Sequence, residues 1–400
     1  MFKRSYVLCL LCIVSGGASL HAQATATGIL GGTVTDPTGG VVPNAAIKIT
    51  NKETGLAREM KSGQAGLYRF DLLPAGTYQV QATMAGFATA TAGAVAVSVG
   101  QTTTLDIGLM PATQSQTVTI EAAGAQLVDT ERSDVSLPIN TQMVQNLPLN
   151  GRDFVNLAIL APGAKPVDSY DPTKNRVSAF AVNGSSGRNV NLTINGIDDK
   201  DNTVGGPVMQ LPLEAVQEFL ISTQRFSAAN GRSEGAAINV ITTSGTNQYH
   251  GSLYFFDREQ QFNTLNYFEQ TAHGGDGTKS PFSRQQFGGS IGGPVRKDKD
   301  FLFFTLERQR ESTSIVADGQ AFAELTAAVG AGLPAQPARI IPTPYYDWRY
   351  TAVGTTASTT RTISSSVTPT RITAGKMINL PRPTISRRVT SPPTSSSLPI

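Results

Sequence analysis

A mainly β fold is predicted by three features of the sequence. Apolar and polar residues alternate in short runs separated by Gly, Pro, Asn and Asp turns, the pattern of half-buried strands. The 400 residues include 39 glycines, and only 15% of them are charged. Beyond the N-terminus no stretch approaches the ~20 apolar residues of a membrane-spanning helix, so any membrane role falls to strands. The order of textures predicts an N-terminal β-sandwich, a mixed α/β domain, an incomplete transmembrane β-barrel and a disordered C-terminal tail.

Residues 1–22 read as a secretory signal peptide. Lys3 and Arg4 precede an apolar run from Tyr6 to Val14, and small residues lead to cleavage after Ala22 or Ala24. The two cysteines, Cys9 and Cys12, lie inside it, and neither sits where a lipoprotein signal needs one. The mature chain therefore has no disulfide framework and no thiolate metal site. A net charge of +3, without a basic aromatic stripe before the last fifty residues, argues against nucleic acid.

Residues 25–110 predict the sandwich. Gly32-Thr33-Val34, Ala46 to Thr50, Gly66 to Phe70 and Leu73 to Val80 are short strands, divided by turns such as Asp36-Pro37-Thr38-Gly39-Gly40. The order "G-x-V-T-D-P-x-G … V-P-x-A-x-I-x-I … G-x-Y-x-F-x-x-L-P-A-G-T-Y-x-V … G-F" resembles the carboxypeptidase regulatory-like domain. That resemblance implies a transthyretin-like sandwich, also classed with carbohydrate-binding-like folds, acting as an accessory rather than a peptidase. The residues agree, since no histidine occurs between Ala22 and His250 to hold zinc. A folded spacer and a module with a glycan or peptide ligand are the two roles open to it.

Residues 111–132 form a polar linker containing Thr117-Val118-Thr119-Ile120-Glu121. Its alternation suits an edge strand donated to a partner sheet through backbone hydrogen bonds. In position and β-propensity Thr117, Val118, Thr119 and Ile120 resemble the TonB box of receptors energised from the inner membrane, which implies a TonB-type energy-transducing partner. A last strand of the preceding sandwich is the other reading.

Residues 133–250 predict the mixed domain. A short helix through Leu157 to Leu160 stops at Pro162-Gly163, and a strand from Asn191 to Ile194 turns at Asn195-Gly196. Leu213 to Phe219 reads as a short amphipathic helix with Glu214 in its first turn, and Ala237 to Thr242 as a central strand. From Asn146 to Gly251 the motifs "L-P-L-N-G-R-x-F", "N-G-x-x" and "E-x-V-Q-E-F … F-S-A-x-x-G-R-x-x-G-x-x-I-N-V-x-T-x-S-G-T-N-x-x-H-G" resemble the plug domain of Oar-like TonB-dependent outer-membrane receptors. The resemblance makes Asn195, Gly196, Asp198, Gly231, Arg232, Gly235, Asn239 and Gly245 its signature. The chain departs from the pattern at Asn230 and Thr243, where tyrosine and lysine are common. Asp198, Asp199 and Asp201 fail calcium-loop spacing because Thr203 holds the third ligand position, so a solvated loop is expected there.

Residues 251–349 carry aromatic extended segments at Ser252 to Phe256, Gln286 to Pro294 and Phe301 to Leu306, the last after a turn at Lys297 to Asp300. They read as two or three first strands of a transmembrane barrel, and "G-G-x-x-G-G-P-V-x-K-D-K-x-F-x-F-F" again matches the Oar-like receptors. Two motifs mislead. Gly288-Gly289-Ser290-Ile291-Gly292 imitates a hydrolase nucleophile elbow, the basis of a remote serine-hydrolase reading, but no histidine follows it. Gly274 to Ser280 imitates a phosphate loop without a preceding apolar strand. Residues 350–400 have no acidic and no aromatic residue beyond Tyr350, which predicts a disordered Ser/Thr/Pro-rich tail. A frameshift near Tyr350 is the favoured origin, with a basic adhesive tail as the alternative.

The resemblance implies no cofactor and no enzyme. It implies the N-terminal portion of an outer-membrane receptor for active uptake of a large or scarce solute, with the product itself truncated, periplasmic or membrane-associated, and not competent for transport. A periplasmic or surface sandwich that binds glycan or protein is the alternative.

Overall fold

The computed structural model describes residues 27–112, 118–120, 134–167, 179–203, 205–231, 233–265, 279–316, 319–334, 336–337 and 340–356. Residues 1–26, with Ala22 and Ala24 of the expected signal peptide, and Thr117, Arg232, most of the phosphate-loop imitation and residues 357–400 lie outside the described residues. The chain divides into two compact units, the smaller containing Arg258–Arg284 and Glu311–Tyr345.

The larger unit opens with the expected sandwich. One sheet is built on β1 (Thr27–Thr35), flanked by β4 (Leu67–Pro74) and by the short parallel strands β7 (Thr102–Thr104) and β8 (Ile107–Gly108). The other runs β3 (Ala57–Lys61), β2 (Ala46–Asn51), β5 (Gly76–Thr83), β6 (Ala90–Val97), β9 (Val118–Ile120). Alternation along β2 and β5 turns Ile47, Ile49, Tyr78 and Val80 into a core shared with Leu30 and Phe70 of the facing sheet. The Asp36 turn closes on itself. Its Oδ1 accepts from the Thr38 and Gly40 N–H groups at 2.8 Å and from the Thr38 hydroxyl at 2.7 Å. The Thr38 hydroxyl, before the Gly40 N–H, holds that carboxyl below its ordinary range.

Next comes a mixed domain on a second core. Its sheet has the order β10 (Val135–Ile139), β15 (Val216–Gln224), β16 (Ala236–Thr242), β13 (Val190–Ile194), β14 (Ile197–Asp198). The pairing is antiparallel except between β13 and β16. The hairpin β11 (Ala164–Val167) and β12 (Ala179–Val182) stands apart from that sheet. Helix α1 (Thr141–Asn146) is capped by Asn140, whose Oδ1 accepts from Met143 N at 3.0 Å. The helix expected at Leu157 to Leu160 is a 3₁₀ segment over Phe154–Leu160 capped by Asp153.

The helix expected over Leu213 to Phe219 is not formed. A 3₁₀ turn, Leu213–Ala215, leads directly into β15. The reason is burial on both faces of β15, where Phe219, Leu220, Ile221 and Ser222 are all inside. A run with no solvent side has no 3.6-residue period to read.

The third element of the larger unit is a sheet of order β17 (His250–Glu259), β18 (Ser283–Arg296), β19 (Asp300–Ser312), β22 (Tyr345–Thr356). Three strands were expected at most, and a tail was expected from Tyr350. β22 corrects both, because its alternation continues unbroken through Tyr345, Asp347, Arg349, Thr351 and Val353, all buried. Composition averaged over the last fifty residues hid that short periodic stretch. The distal ends of these strands lie in the smaller unit, with the hairpin β20 (Ser314–Val316) and β21 (Ile340–Pro342) and helix α2 (Gly319–Gly330).

Candidate functional site

The third sheet has two unlike faces. Along β19 the outward residues Leu302, Phe304 and Leu306 are 49%, 39% and 39% exposed, whereas the alternate residues Thr305 and Glu307 are fully buried. Leu253, Phe255, Ile291 and Trp348 extend the exposed apolar face into a broad shallow groove. At one end the inner face is apolar, and Phe303 and Val353 join the core of the mixed domain. Further along, the same face is charged.

That charged patch is organised around two arginines. Arg349 on β22 donates through Nε to Asp347 at 2.8 Å, through Nη1 to Glu307 at 3.2 Å and through Nη2 to Gln309 at 3.1 Å. The Tyr254 hydroxyl donates to the other Glu307 oxygen at 2.9 Å. From the mixed domain Arg152 reaches in, its Nη2 paired with Glu214 and its Nε 3.9 Å from Glu307. Its guanidinium lies over the rings of Tyr254 and Phe256, 4.7 and 4.8 Å from their centroids. A left-handed turn at Gly151 (φ 69°) and Arg152 (φ 53°) aims it there, and Gln286 of β18 donates to the Gly151 carbonyl at 2.9 Å. Thr243 holds Glu214 in place by bonding Ala215 O through its N–H and Glu214 O through its hydroxyl. No nucleophile faces a base in this arrangement. It fastens a domain to a sheet through charges withdrawn from water.

The expected signature residues are structural fastenings around this joint. Asn195 and Gly196 (φ 51° and 81°) make the β13–β14 turn, and the Asn195 side chain clamps Thr242 with bonds of 2.8 and 3.0 Å. Asn239 accepts from the Thr193 hydroxyl at 3.1 Å. Gly245 has no room for a side chain, since a Cβ there would lie 2.5 Å from Leu302 O and 2.7 Å from Gly293 O. At Gly235 a Cβ would meet the Ser185 hydroxyl at 2.1 Å, whereas Gly231 turns in open space at φ 44°.

Asp198, Asp199 and Asp201 accept from the Lys200, Met209 and Thr203 N–H groups of their own loop. The loop is not simply solvated, because Asp199 and Lys200 are buried. Burial, against the Met209 N–H, pushes the Asp199 carboxyl up to about 7. Among the described residues no group of His, Cys, Asp or Glu is placed to hold a metal ion. Ser290 lies mid-strand in β18 with its hydroxyl 2.9 Å from that of Ser252, without the strand-to-helix turn of a nucleophile elbow.

A second fastening joins the sandwich to the mixed domain. Both Glu218 carboxylate oxygens accept from Val99 N at 3.1 Å. Burial, opposed by the Val99 N–H and the Ser98 hydroxyl, pushes that carboxyl up to about 7. Asn247 N donates to Glu53 O at 2.9 Å, and its side chain bridges to Asp298. Sequence reading missed Arg152, Glu214, Glu218, Glu307, Asp347 and Arg349 as a set. The inward alternation of polar Thr305, Glu307, Gln309 and Glu311 along β19 was the available signal.

Comparison with known proteins gives this joint its context. The family model described as an outer membrane beta barrel domain matches residues 241–397, and that of the carboxypeptidase regulatory-like domain matches residues 29–110. The TonB-dependent transporter Oar of Myxococcus xanthus is 26% identical over 282 residues, 65% of this chain and 25% of that protein. The chain is a homologue of Oar-like TonB-dependent transporters. The chain spans about a quarter of the length of that curated relative. Its barrel match runs past the boundary expected at Tyr350. Among solved structures, the Escherichia coli outer membrane transporter YddB is 11% identical with a TM-score of 0.41, covering 55% of this chain and 30% of that one. The siderophore receptor PirA of Acinetobacter baumannii is 16% identical with a TM-score of 0.33, covering 55% and 31%.

Proposed function

We propose that the chain is the N-terminal part of a TonB-dependent outer-membrane transporter. In this reading residues 25–110 are an accessory sandwich and residues 133–250 the plug. The strands from His250 to Thr356 are barrel wall, and Val118–Ile120 is the strand offered to a TonB-type transducer. The activity is uptake of a solute across the outer membrane, driven from the inner membrane.

One observation carries the reading. The third sheet exposes an apolar face to the surroundings while its inner face, beyond the apolar end at Phe303 and Val353, withdraws a charged patch from water, the arrangement expected of a barrel wall around a plug. The expected outcome is recovery of the chain in outer membranes, resistant to carbonate extraction. Placing arginine at Phe304 or Leu306 costs about 2–4 kcal/mol near the bilayer midplane, so Phe304→Arg and Leu306→Arg shift the chain toward the extractable fraction. A wild-type chain found wholly in the soluble periplasmic pool would sink the proposal.

A further inference from the structure

The outward face of the third sheet changes character along β19. Leu302, Phe304 and Leu306 give way to Arg308, partly exposed, and Arg310, exposed. The two arginines share one face, about 7 Å apart along the strand. Arg284, Arg296 and Arg349 of the same sheet are each paired with a carboxylate. Arg308 and Arg310 have no acidic partner among the described residues. The Arg308 guanidinium instead lies over the Trp348 ring, 4.9 Å from its centroid, and Trp348 meets Phe287 edge-on at 6.3 Å. Tyr346 and Trp348 are both exposed on β22.

Chain direction shows which end of the wall this is. β18 and β19 join through the short turn at Lys297–Lys299, whereas residues 313–344 separate β19 from β22. In barrel walls short turns face the periplasm and long connections the exterior. Arg308, Arg310 and the exposed rings thus stand at the exterior end of the apolar face, where aromatic side chains meet lipid headgroups. An arginine there lays its stem along apolar surface and turns its donors to the headgroup layer. Its planar fork matches the oxygens of a phosphate, and an anion between the two relieves their mutual repulsion.

We propose that Arg308 and Arg310, with the Trp348 ring beneath the first, bind the terminal phosphate of a lipid in the exterior leaflet. The proposal rests on the barrel-wall reading given above, and one experiment tests the two separately. The full chain is diluted from denaturant into vesicles of phosphatidylcholine alone, with phosphatidic acid, or with charge-matched oleate, and the bound fraction is measured by flotation. The chain is expected to bind all three and to prefer phosphatidic acid. Arg308→Gln with Arg310→Gln should weaken binding to phosphatidic acid vesicles by about fivefold for each arginine, with phosphatidylcholine binding unchanged. Lys297→Gln with Lys299→Gln removes the same charge from exposed positions at the opposite end and should leave the preference intact. An equal gain with oleate, or an equal loss in the lysine variant, reduces the effect to general charge and overturns the site. Loss of phosphatidylcholine binding in the arginine variant overturns it too, since the arginines then serve the wall itself. Failure of the unsubstituted chain to bind any vesicle rejects the barrel-wall reading, and the proposal falls with it.

Discussion

Arg152 stands between two carboxylates and two aromatic rings, and its removal leaves Glu214 without its paired cation away from water, while Glu307 keeps Arg349 and Tyr254. Breaking a buried pair from one side costs about 3–5 kcal/mol, so Arg152→Ala is expected to lower resistance to denaturant by that order. Adding Glu214→Gln to it should recover part of the loss. Arg152→Lys should not rescue, because an ammonium has no planar fork to span the carboxylate and stack on the rings. Glu218 and Asp199 give a pH signature. Each has a folded pKa raised to about 7 from an ordinary carboxylate value. The folded state therefore holds more protons than the unfolded one between about pH 4 and 7, and stability falls as pH rises through that window, by on the order of 3 kcal/mol per group. Thermal melts should show a lower Tm at pH 8 than at pH 5.5, with the drop reduced in Glu218→Gln and in Asp199→Asn. These residues were not legible as a site. The motifs drew attention to Asn195 and Gly245, which the fold places in a turn and at a close backbone approach, but nothing in the spacing of Arg152, Glu214, Glu307 and Arg349 tells that they converge, because only the tertiary fold brings them together.

Strands and turns were more legible than sites, and the exceptions have a common cause. The Asn195-Gly196 hairpin and the central strand β16 follow from turn chemistry and buried apolar runs. The strand at Val216 was misread as helix because it lacks a solvent face, and β22 was missed because its pattern lies at the edge of a biased composition. β9 shows the opposite case. The two readings open to it, sandwich strand and partner strand, are both compatible with a segment held by three register pairs. At the crossover from β16 to β17, Gly245 passes between the Leu302 and Gly293 carbonyls. Gly245→Ala is expected to cost about 1–3 kcal/mol through forced displacement. Gly354→Ala on β22, with nothing within 4 Å of its added carbon, should be close to neutral in the same unfolding assay.

Across the larger unit, two apolar cores are built from different residues, one from the sandwich and one from the mixed domain with Phe303 and Val353 of the third sheet. The sandwich should then fold on its own. A fragment of residues 25–112 is expected to give a cooperative thermal transition followed by circular dichroism, and a non-cooperative melt would show that its core depends on the rest of the chain. The third sheet cannot be separated so easily. Leu253 is 92% exposed and Phe255 65%, side chains that water disfavours and hydrocarbon accepts. An exported chain bearing this face has to cross an aqueous compartment before any bilayer can cover it. On the proposed route to the membrane, insertion of these strands competes with their self-association.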